Sequence, residues 1–218
     1  MDQGFPCSVA AVAAAALSAA LHVRAEYRGP RWQVYLFKPL TTSLLVLLAA
    51  LQASAHGPRY QLAVVAGLVL SLAGDVFLML PGDRFVPGLA SFLLAHLAYV
   101  VAFSSGISLG TNPLLLLPLL ATGALLIRVL WRGLGRLRLS VLVYSTAIVL
   151  MVWQAWARGW ELRSTGAVLA AAGAALFMAS DSLLALNRFR APFAWAQAAI
   201  MATYVAAQAL IALSVGVP

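Results

Sequence analysis

The chain has 218 residues, of which 63% are hydrophobic and only 9% are charged. Soluble domains carry roughly 25% charged residues, so this composition excludes a soluble globular protein and predicts a surface that mostly faces lipid. The net charge of +8 comes from arginines that lie between apolar stretches rather than in basic runs interleaved with aromatic residues, which argues against nucleic-acid binding.

Eight apolar stretches follow one another along the chain, separated by short connections rich in Gly, Pro and Arg. A transmembrane helix needs roughly 20 apolar residues, and open sheets cannot satisfy their backbone in lipid. The first stretch lacks a basic leading region, so we interpret it as a span and not as a cleaved signal peptide. We predict an all-α polytopic bundle in which residues 1–218 form a single transmembrane domain with spans at about 5–23, 33–54, 60–81, 87–105, 113–131, 138–156, 164–186 and 192–215.

The arginines are distributed unevenly between the two sides of this bundle. The connections after the odd-numbered spans hold most of them, whereas the other connections hold only Arg59, Arg158 and Arg163. Because cytoplasmic loops carry the excess of Lys and Arg, we predict a bacterial inner-membrane protein with both termini outside.

The sequence also resembles itself at an offset of 106 residues. Residues 67–80 in the third span align with residues 173–186 in the seventh, with glycines and apolar positions in common. The same offset aligns Gly67 with Gly173, Asp75 with Asp181, Arg84 with Arg190 and Lys38 with Tyr144. A shift of four spans preserves orientation, so we predict two parallel halves, 1–110 and 111–218, although chance similarity between Ala- and Leu-rich helices is the alternative.

Ionisable side chains within a span cost several kcal/mol and are candidates for function. Here they are Lys38, Asp75, His96 and Asp181, with Arg128 close to a span end. All four lie in the half of the spans nearer the arginine-rich connections, and Tyr144, Gln197 and Tyr204 fall at similar depths. Seven polar groups from six helices are therefore expected to meet in one layer.

Each candidate also has a purely structural interpretation. Lys38 could extend to the headgroups, although Pro39 next to it favours a local opening of the helix. One aspartate could pair with Lys38, and His96 could be a hydrogen-bonded core histidine. Packing accounts equally well for Tyr99, and general positive charge for the loop arginines; His22 and His56 lie at span ends and receive no role.

Several chemistries have no support in the sequence. There is one cysteine, Cys7, no HExxH motif and no His cluster, so no zinc site is expected. A metal site built from Asp75, His96 and Asp181 is an alternative that is poor in ligands. There is no GxSxG elbow and no Gly-rich phosphate loop. Two carboxylates in a dry pocket do suggest acid–base chemistry, because one can hold a proton while the other stays charged. Such a pair suits either hydrolysis of an acid-labile bond or proton transport.

Four short motifs in their order and spacing resemble the YhhN-type family, whose animal members are lysoplasmalogenases. They are Lys38-Pro39, Gly74-Asp75-xx-Leu78-Met79, Phe92-xxx-His96-xx-Tyr99 and Ser180-Asp181-Ser182. The resemblance covers nearly the whole chain. It implies hydrolysis of the vinyl ether bond of a lysoplasmalogen, a lysophospholipid, to a fatty aldehyde and glycerophospho-ethanolamine or -choline, without any cofactor.

We assign roles to the candidates on that basis. A vinyl ether is hydrolysed by protonation at carbon, which needs an acid, a nearby negative charge and a base for water. The expected catalytic residues are Asp75, Asp181, His96 and Lys38. The expected substrate-binding residues are Tyr144, Tyr204, Tyr99, Gln197, Arg84 and Arg190.

The main alternative is a small proton-coupled transporter that uses the same aspartates as a relay. A transporter needs polar residues that continue to the opposite face, and there the spans are mostly Ala, Leu and Val, with Gln52, Gln61 and Gln154 as exceptions. This asymmetry favours an enzyme with a one-sided pocket. A purely structural protein would leave the buried charges unexplained.

Overall fold

The computed structural model describes residues 4–218, and from residue 8 onward also the side chains. Within this range eight helices, and no strand, are long and apolar enough to cross a membrane, which confirms the predicted multi-pass helical bundle. They are α1 Gly4–Arg28, α2 Arg31–Leu51, α3 Pro58–Met79, α4 Phe85–Phe103, α5 Leu116–Leu130, α6 Arg138–Leu162, α7 Thr165–Phe189 and α8 Ala196–Leu213. Single 3₁₀ turns, Pro113–Leu115 and Gly135–Leu137, precede α5 and α6.

The predicted spans differ from the helices mainly at their ends. α1 continues past residue 23 to Arg28, where Gly29 and Pro30 stop it, because a residue before proline is disfavoured in the helical region. α6 continues past residue 156 to Leu162, so Arg158 belongs to a helix and its predicted position in a loop is wrong. Hydrophobic runs mark the part of a helix that lies in lipid, and a helix extends beyond that part as long as its backbone bonds continue.

Two helix pairs, α3 with α4 and α7 with α8, form the most extensive contacts in the bundle. Small residues allow these helices to approach closely. A Cβ atom on Gly74 would lie 2.6 Å from the Phe92 ring, and one on Gly173 would lie 2.8 Å from the Ala207 carbonyl oxygen. Gly74 therefore brings α3 against α4 directly beside Asp75.

An aromatic cluster fills the centre of the bundle around Phe177 of α7. Its ring contacts His96, Tyr204 and Phe92 at centroid distances of 4.8, 5.5 and 6.2 Å. The rings come from α4, α7 and α8, which are not all neighbours in sequence. This packing fixes the helices that carry the candidate site relative to one another.

The two halves of the chain pack in a similar order, with one difference. α1 packs against α2 and α8, whereas α5, its counterpart at the 106-residue offset, packs against α6 and α7 and has at most marginal contact with α4. α5 is also the least buried of the eight described spans. The repeat itself stays a prediction, but the packing leaves a gap between α4 and α5 that α1 does not leave beside α8.

Candidate functional site

A polar cavity opens near the arginine-rich face, which we define as the end of the bundle formed by the connections after α1, α3, α5 and α7. Its volume is about 420 Å³. Residues of α1, α2, α3, α4, α7 and α8 line it, together with the connection between α3 and α4. Asp75 and Asp181 both lie in its wall, so the carboxyl groups of the two halves share one cavity.

Asp75 accepts hydrogen bonds from two hydroxyl groups and faces a cation. Thr42 Oγ1 and Tyr204 OH donate to Asp75 Oδ2 over 2.7 and 2.8 Å. The Lys38 ammonium lies 3.9 Å from Oδ1. The Asp75 side chain is only 3% exposed. Three groups that favour a negative charge thus surround a carboxyl that is otherwise removed from water.

Asp181 has fewer polar partners than Asp75. Tyr144 OH donates a hydrogen bond of 2.5 Å to Asp181 Oδ2. His96 Nε2 lies 3.5 Å from the same oxygen, outside hydrogen-bond geometry, and neither ring nitrogen of His96 has a hydrogen-bond partner among the described residues. The Asp181 side chain is 13% exposed, more than that of Asp75. Asp181 is therefore the more accessible carboxyl, with His96 directly behind it.

An apolar slot runs beside the polar cavity, between α5 and the rest of the bundle. Its volume is about 60 Å³, and its walls come from α4, α5, α6 and α7 with Leu78 of α3. The slot and the polar cavity share the lining residues Leu78, Phe85, Phe92, Asp181 and Leu184. Asp181 is the ionisable member of this shared wall and lies where the polar cavity meets the apolar slot.

Charged and polar residues surround the mouth of the polar cavity. The exposed Arg188 donates a hydrogen bond to Asp83, which joins α7 to the connection between α3 and α4. Arg84, Asn187 and Gln197 also line the cavity. A phosphate or other polar headgroup entering from this face would meet arginine and amide donors before it reached the carboxyl groups.

The structure brings most of the predicted site residues together. Those that line the polar cavity are Lys38, Asp75, Asp181, Tyr204, Gln197 and Arg84. Tyr144 lines the apolar slot, and His96 lies behind Asp181. The other two lie elsewhere: Tyr99 is buried deeper and donates to Gln208 Oε1 over 2.7 Å, and Arg190 is exposed and lines neither compartment.

Thr42 and His22 contribute to the interior of the site, although the sequence analysis assigned them no role. Thr42 is buried and donates to Asp75, one turn after Lys38 on the same face of α2. That i, i+4 spacing is a signal the sequence does contain. His22 is buried on α1 and lines the polar cavity, with Nε2 3.8 Å from Glu26 Oε1. Only the packing of α1 against α8 reveals it.

The opposite half of the bundle contains more buried polar groups than its sequence suggests. Arg158 is buried, donates from Nε to the Ser105 carbonyl over 3.1 Å and lies 4.6 Å above the Tyr60 ring. Tyr60 in turn pairs with Ser214 over 2.7 Å. Burial and the Arg158 guanidinium lower the pKa of His56 in the adjoining loop, so its imidazole is neutral at pH 7. The cavity at this face shares no lining residue with the polar cavity at the arginine-rich face.

Among the side chains that the structure describes, no three of the types His, Cys, Asp and Glu come together in a way that could hold a metal ion. The two carboxylates are surrounded instead by hydroxyl groups, an ammonium group and an imidazole. The arrangement can donate and accept protons and can stabilise a positive charge.

Comparison with known proteins places the chain in a family. The profile of the YhhN family matches residues 33–215, which include α3 to α8 and nearly all of α2. The chain belongs to the YhhN family. The described site residues of this YhhN protein, except His22, fall within the matched region.

Relatives of this YhhN protein are found in bacteria and mammals. The uncharacterized membrane protein YhhN of Escherichia coli O157:H7 is 38% identical over 202 residues, which cover 92% of this chain and 96% of the relative. The pig protein named lysoplasmalogenase TMEM86B is 39% identical over 187 residues, covering 85% of this chain and 76% of its own. Human lysoplasmalogenase TMEM86A is 36% identical over 204 residues, covering 85% and 79%. No solved structure matches the YhhN chain.

Proposed function

We propose that this protein is a hydrolase that cleaves the vinyl ether bond of lysoplasmalogens, releasing a fatty aldehyde and a glycerophospho-ethanolamine or -choline. The names of the mammalian relatives support the substrate class. The observation that carries the proposal is the position of Asp181, which borders both the polar cavity and the apolar slot. A lysoplasmalogen has its reactive double bond at such a boundary, between a polar headgroup and an alkyl chain.

The contacts of the two carboxyl groups support different roles for them in the proposed reaction. Asp75 accepts two hydroxyl hydrogen bonds beside Lys38, an environment that stabilises a carboxylate. Asp181 has one hydroxyl donor and otherwise borders the apolar wall. In the proposal Asp181 therefore enters the reaction as the acid, and Asp75 enters it as the carboxylate.

The reaction begins with proton transfer to carbon. Asp181 donates its proton to the second carbon of the alkenyl chain, and the electron pair of the double bond forms the new C–H bond. The positive charge is shared between the first carbon and the ether oxygen, and the negative charges of Asp75 and of the ionised Asp181 stabilise it. Lys38 keeps Asp75 ionised, and the hydrogen bond from Tyr144 stabilises the ionised Asp181.

Water from the polar cavity completes the cleavage. Asp75 takes a proton from a water molecule as the oxygen bonds to the first carbon, which gives a hemiacetal. The hemiacetal then collapses: the C–O bond to glycerol breaks, Asp75 returns its proton to the glycerol oxygen, and the hydroxyl proton goes to Asp181. Both carboxyls are restored, and His96 lies close enough to Asp181 to orient it in this last transfer.

The test is release of fatty aldehyde by the purified protein. We expect aldehyde from a lysoplasmalogen at a rate proportional to protein concentration, and none from the ester lysophospholipid of the same chain length and headgroup. Folded, monodisperse protein that releases no aldehyde from any lysoplasmalogen would refute the proposal. In that case a proton-flux assay in liposomes would examine the transporter alternative.

A further inference from the structure

The apolar slot lies between α5 and the rest of the bundle, and the catalytic scheme uses only its border. Its deep end lies between α5 and α6, where Gly123 and Val149 line it, and its shallow end lies near Leu130, Val141 and Phe189. Along α5, Gly123 and Leu130 are roughly 10 Å apart at 1.5 Å per residue. The slot therefore extends from the arginine-rich face toward the middle of the bundle.

The volume of about 60 Å³ holds only a few water-sized groups. A long alkyl chain is much larger than this. Its remaining length has to lie outside the slot, and the side between α4 and α5 is the least closely packed, since these helices make at most marginal contact. Leu94 and Leu97 of α4 and Leu125 of α5 are exposed large apolar residues of these two helices.

Gly123 differs from the glycines that pack helices together. A Cβ on Gly74 or Gly173 would come within 3 Å of a neighbouring helix, so those positions need glycine for close approach. A Cβ on Gly123 would lie 3.5 Å from Val149 Cγ2, an ordinary contact. Glycine is less favourable than alanine within a helix, and packing does not require it at this position. What its missing side chain provides is space in the slot.

We infer that the slot is the binding site for the substrate's alkenyl chain, that the chain passes sideways between α4 and α5, and that Gly123 keeps the deep end of this path open. The inference rests on the proposed function, since it takes the double bond to lie at Asp181. The headgroup then lies toward Arg84 at the arginine-rich face, and the chain extends toward the bilayer centre, as it does in a free lysolipid.

Chain-length selectivity tests the inference. Gly123→Leu places a bulky side chain in the path, whereas Ala124→Leu places the same side chain at the next, exposed position of α5, outside the slot. We expect Gly123→Leu to lower kcat/KM by at least about tenfold for a long-chain lysoplasmalogen and to leave a substrate with about four alkenyl carbons within twofold of the native protein. Gly123→Ala is expected to have a small effect, and Ala124→Leu none.

A lysophospholipid with a photoreactive group near the end of its alkyl chain provides a readout that does not depend on catalysis. We expect crosslinks on residues 122–126 of α5, reduced severalfold in Gly123→Leu and unchanged in Ala124→Leu. Crosslinks confined to other helices, or a Gly123→Leu variant that treats long and short chains alike, would overturn the slot assignment. Crosslinking in the slot by a native protein that releases no aldehyde would instead retain the binding site and refute the hydrolase.

Discussion

The two carboxyl groups occupy matching positions in the two halves of the chain, yet their surroundings differ. Asp75 faces Lys38, and Asp181 bonds to Tyr144, at positions that correspond under the 106-residue offset. In the first half α1 packs against α8, whereas in the second half α5 has at most marginal contact with α4. Asp75 is therefore enclosed in polar contacts, and Asp181 opens onto an apolar slot.

Under the proposed function, this difference would let the two halves supply two different catalytic groups. If both carboxyls had Lys38-like partners, both would be stabilised as carboxylates and no acid would remain. If both bordered apolar walls, no carboxylate would be present beforehand to help stabilise the cation and to accept a proton from water. In the proposal, the different partner residue and the looser packing of α5 separate the two roles.

The largest expected effect is loss of either carboxyl. Asp181→Asn removes the proton donor and is expected to lower the rate of aldehyde release by about 10²- to 10⁴-fold. Asp75→Asn removes a charge that stabilises the cation, and the rate of aldehyde release should fall by a factor in the same range. Asp83 is an exposed carboxylate at the mouth of the same cavity, so Asp83→Asn is the matched control and should keep most of the activity. Folded Asp75→Asn and Asp181→Asn proteins with native rates would contradict the catalytic scheme.

A smaller effect is expected from the partners of the carboxyls, and it sharpens the comparison between the halves. Lys38→Met leaves Asp75 without its cation, and Tyr144→Phe removes the single hydroxyl donor of Asp181. A hydrogen bond to a charged group contributes about 1.5–3 kcal/mol, so each of these two variants is expected to lose rate by roughly 10- to 150-fold.

The two partner variants should differ in their response to pH. Lys38→Met makes Asp75 easier to protonate, and the scheme needs Asp75 ionised. As the pH is lowered, the activity of Lys38→Met should therefore be lost at a higher pH than the activity of the native protein, which moves the acidic limb of the pH–rate profile. Tyr144→Phe should lower the rate without moving this acidic limb. Rates measured from pH 4 to 9 separate the two cases, and equal shifts in both variants would show that the roles are not divided as proposed.

The smallest effect on activity is expected at the opposite face. Arg158→Gln removes the cation above Tyr60 and the Nε hydrogen bond to Ser105, so the thermal midpoint should fall by a few degrees. Aldehyde release per folded molecule should stay within about twofold of native, since the cavities of the two faces share no lining residue. A strong loss of activity in stable Arg158→Gln protein would instead connect the two faces and favour the transporter alternative.

The sequence by itself determined the class of the protein. Long apolar runs with so little charge have one stable arrangement, helices in a bilayer, because an unpaired backbone cannot be left in lipid. The same cost makes every ionisable residue within a span conspicuous, and so Lys38, Asp75, His96 and Asp181 could be selected without a structure. Their common depth follows from counting residues along a helix of known rise.

Only the tertiary structure decided which of these residues meet, because depth along a helix says nothing about the direction in which a side chain points. Tyr99 has a suitable depth and nevertheless bonds to Gln208, while Thr42 and His22 enter the site through the packing of α1, α2 and α8. The slot depends on the loose contact between α4 and α5. That gap reflects how helices from distant parts of the chain pack together, a property that no single stretch of sequence carries.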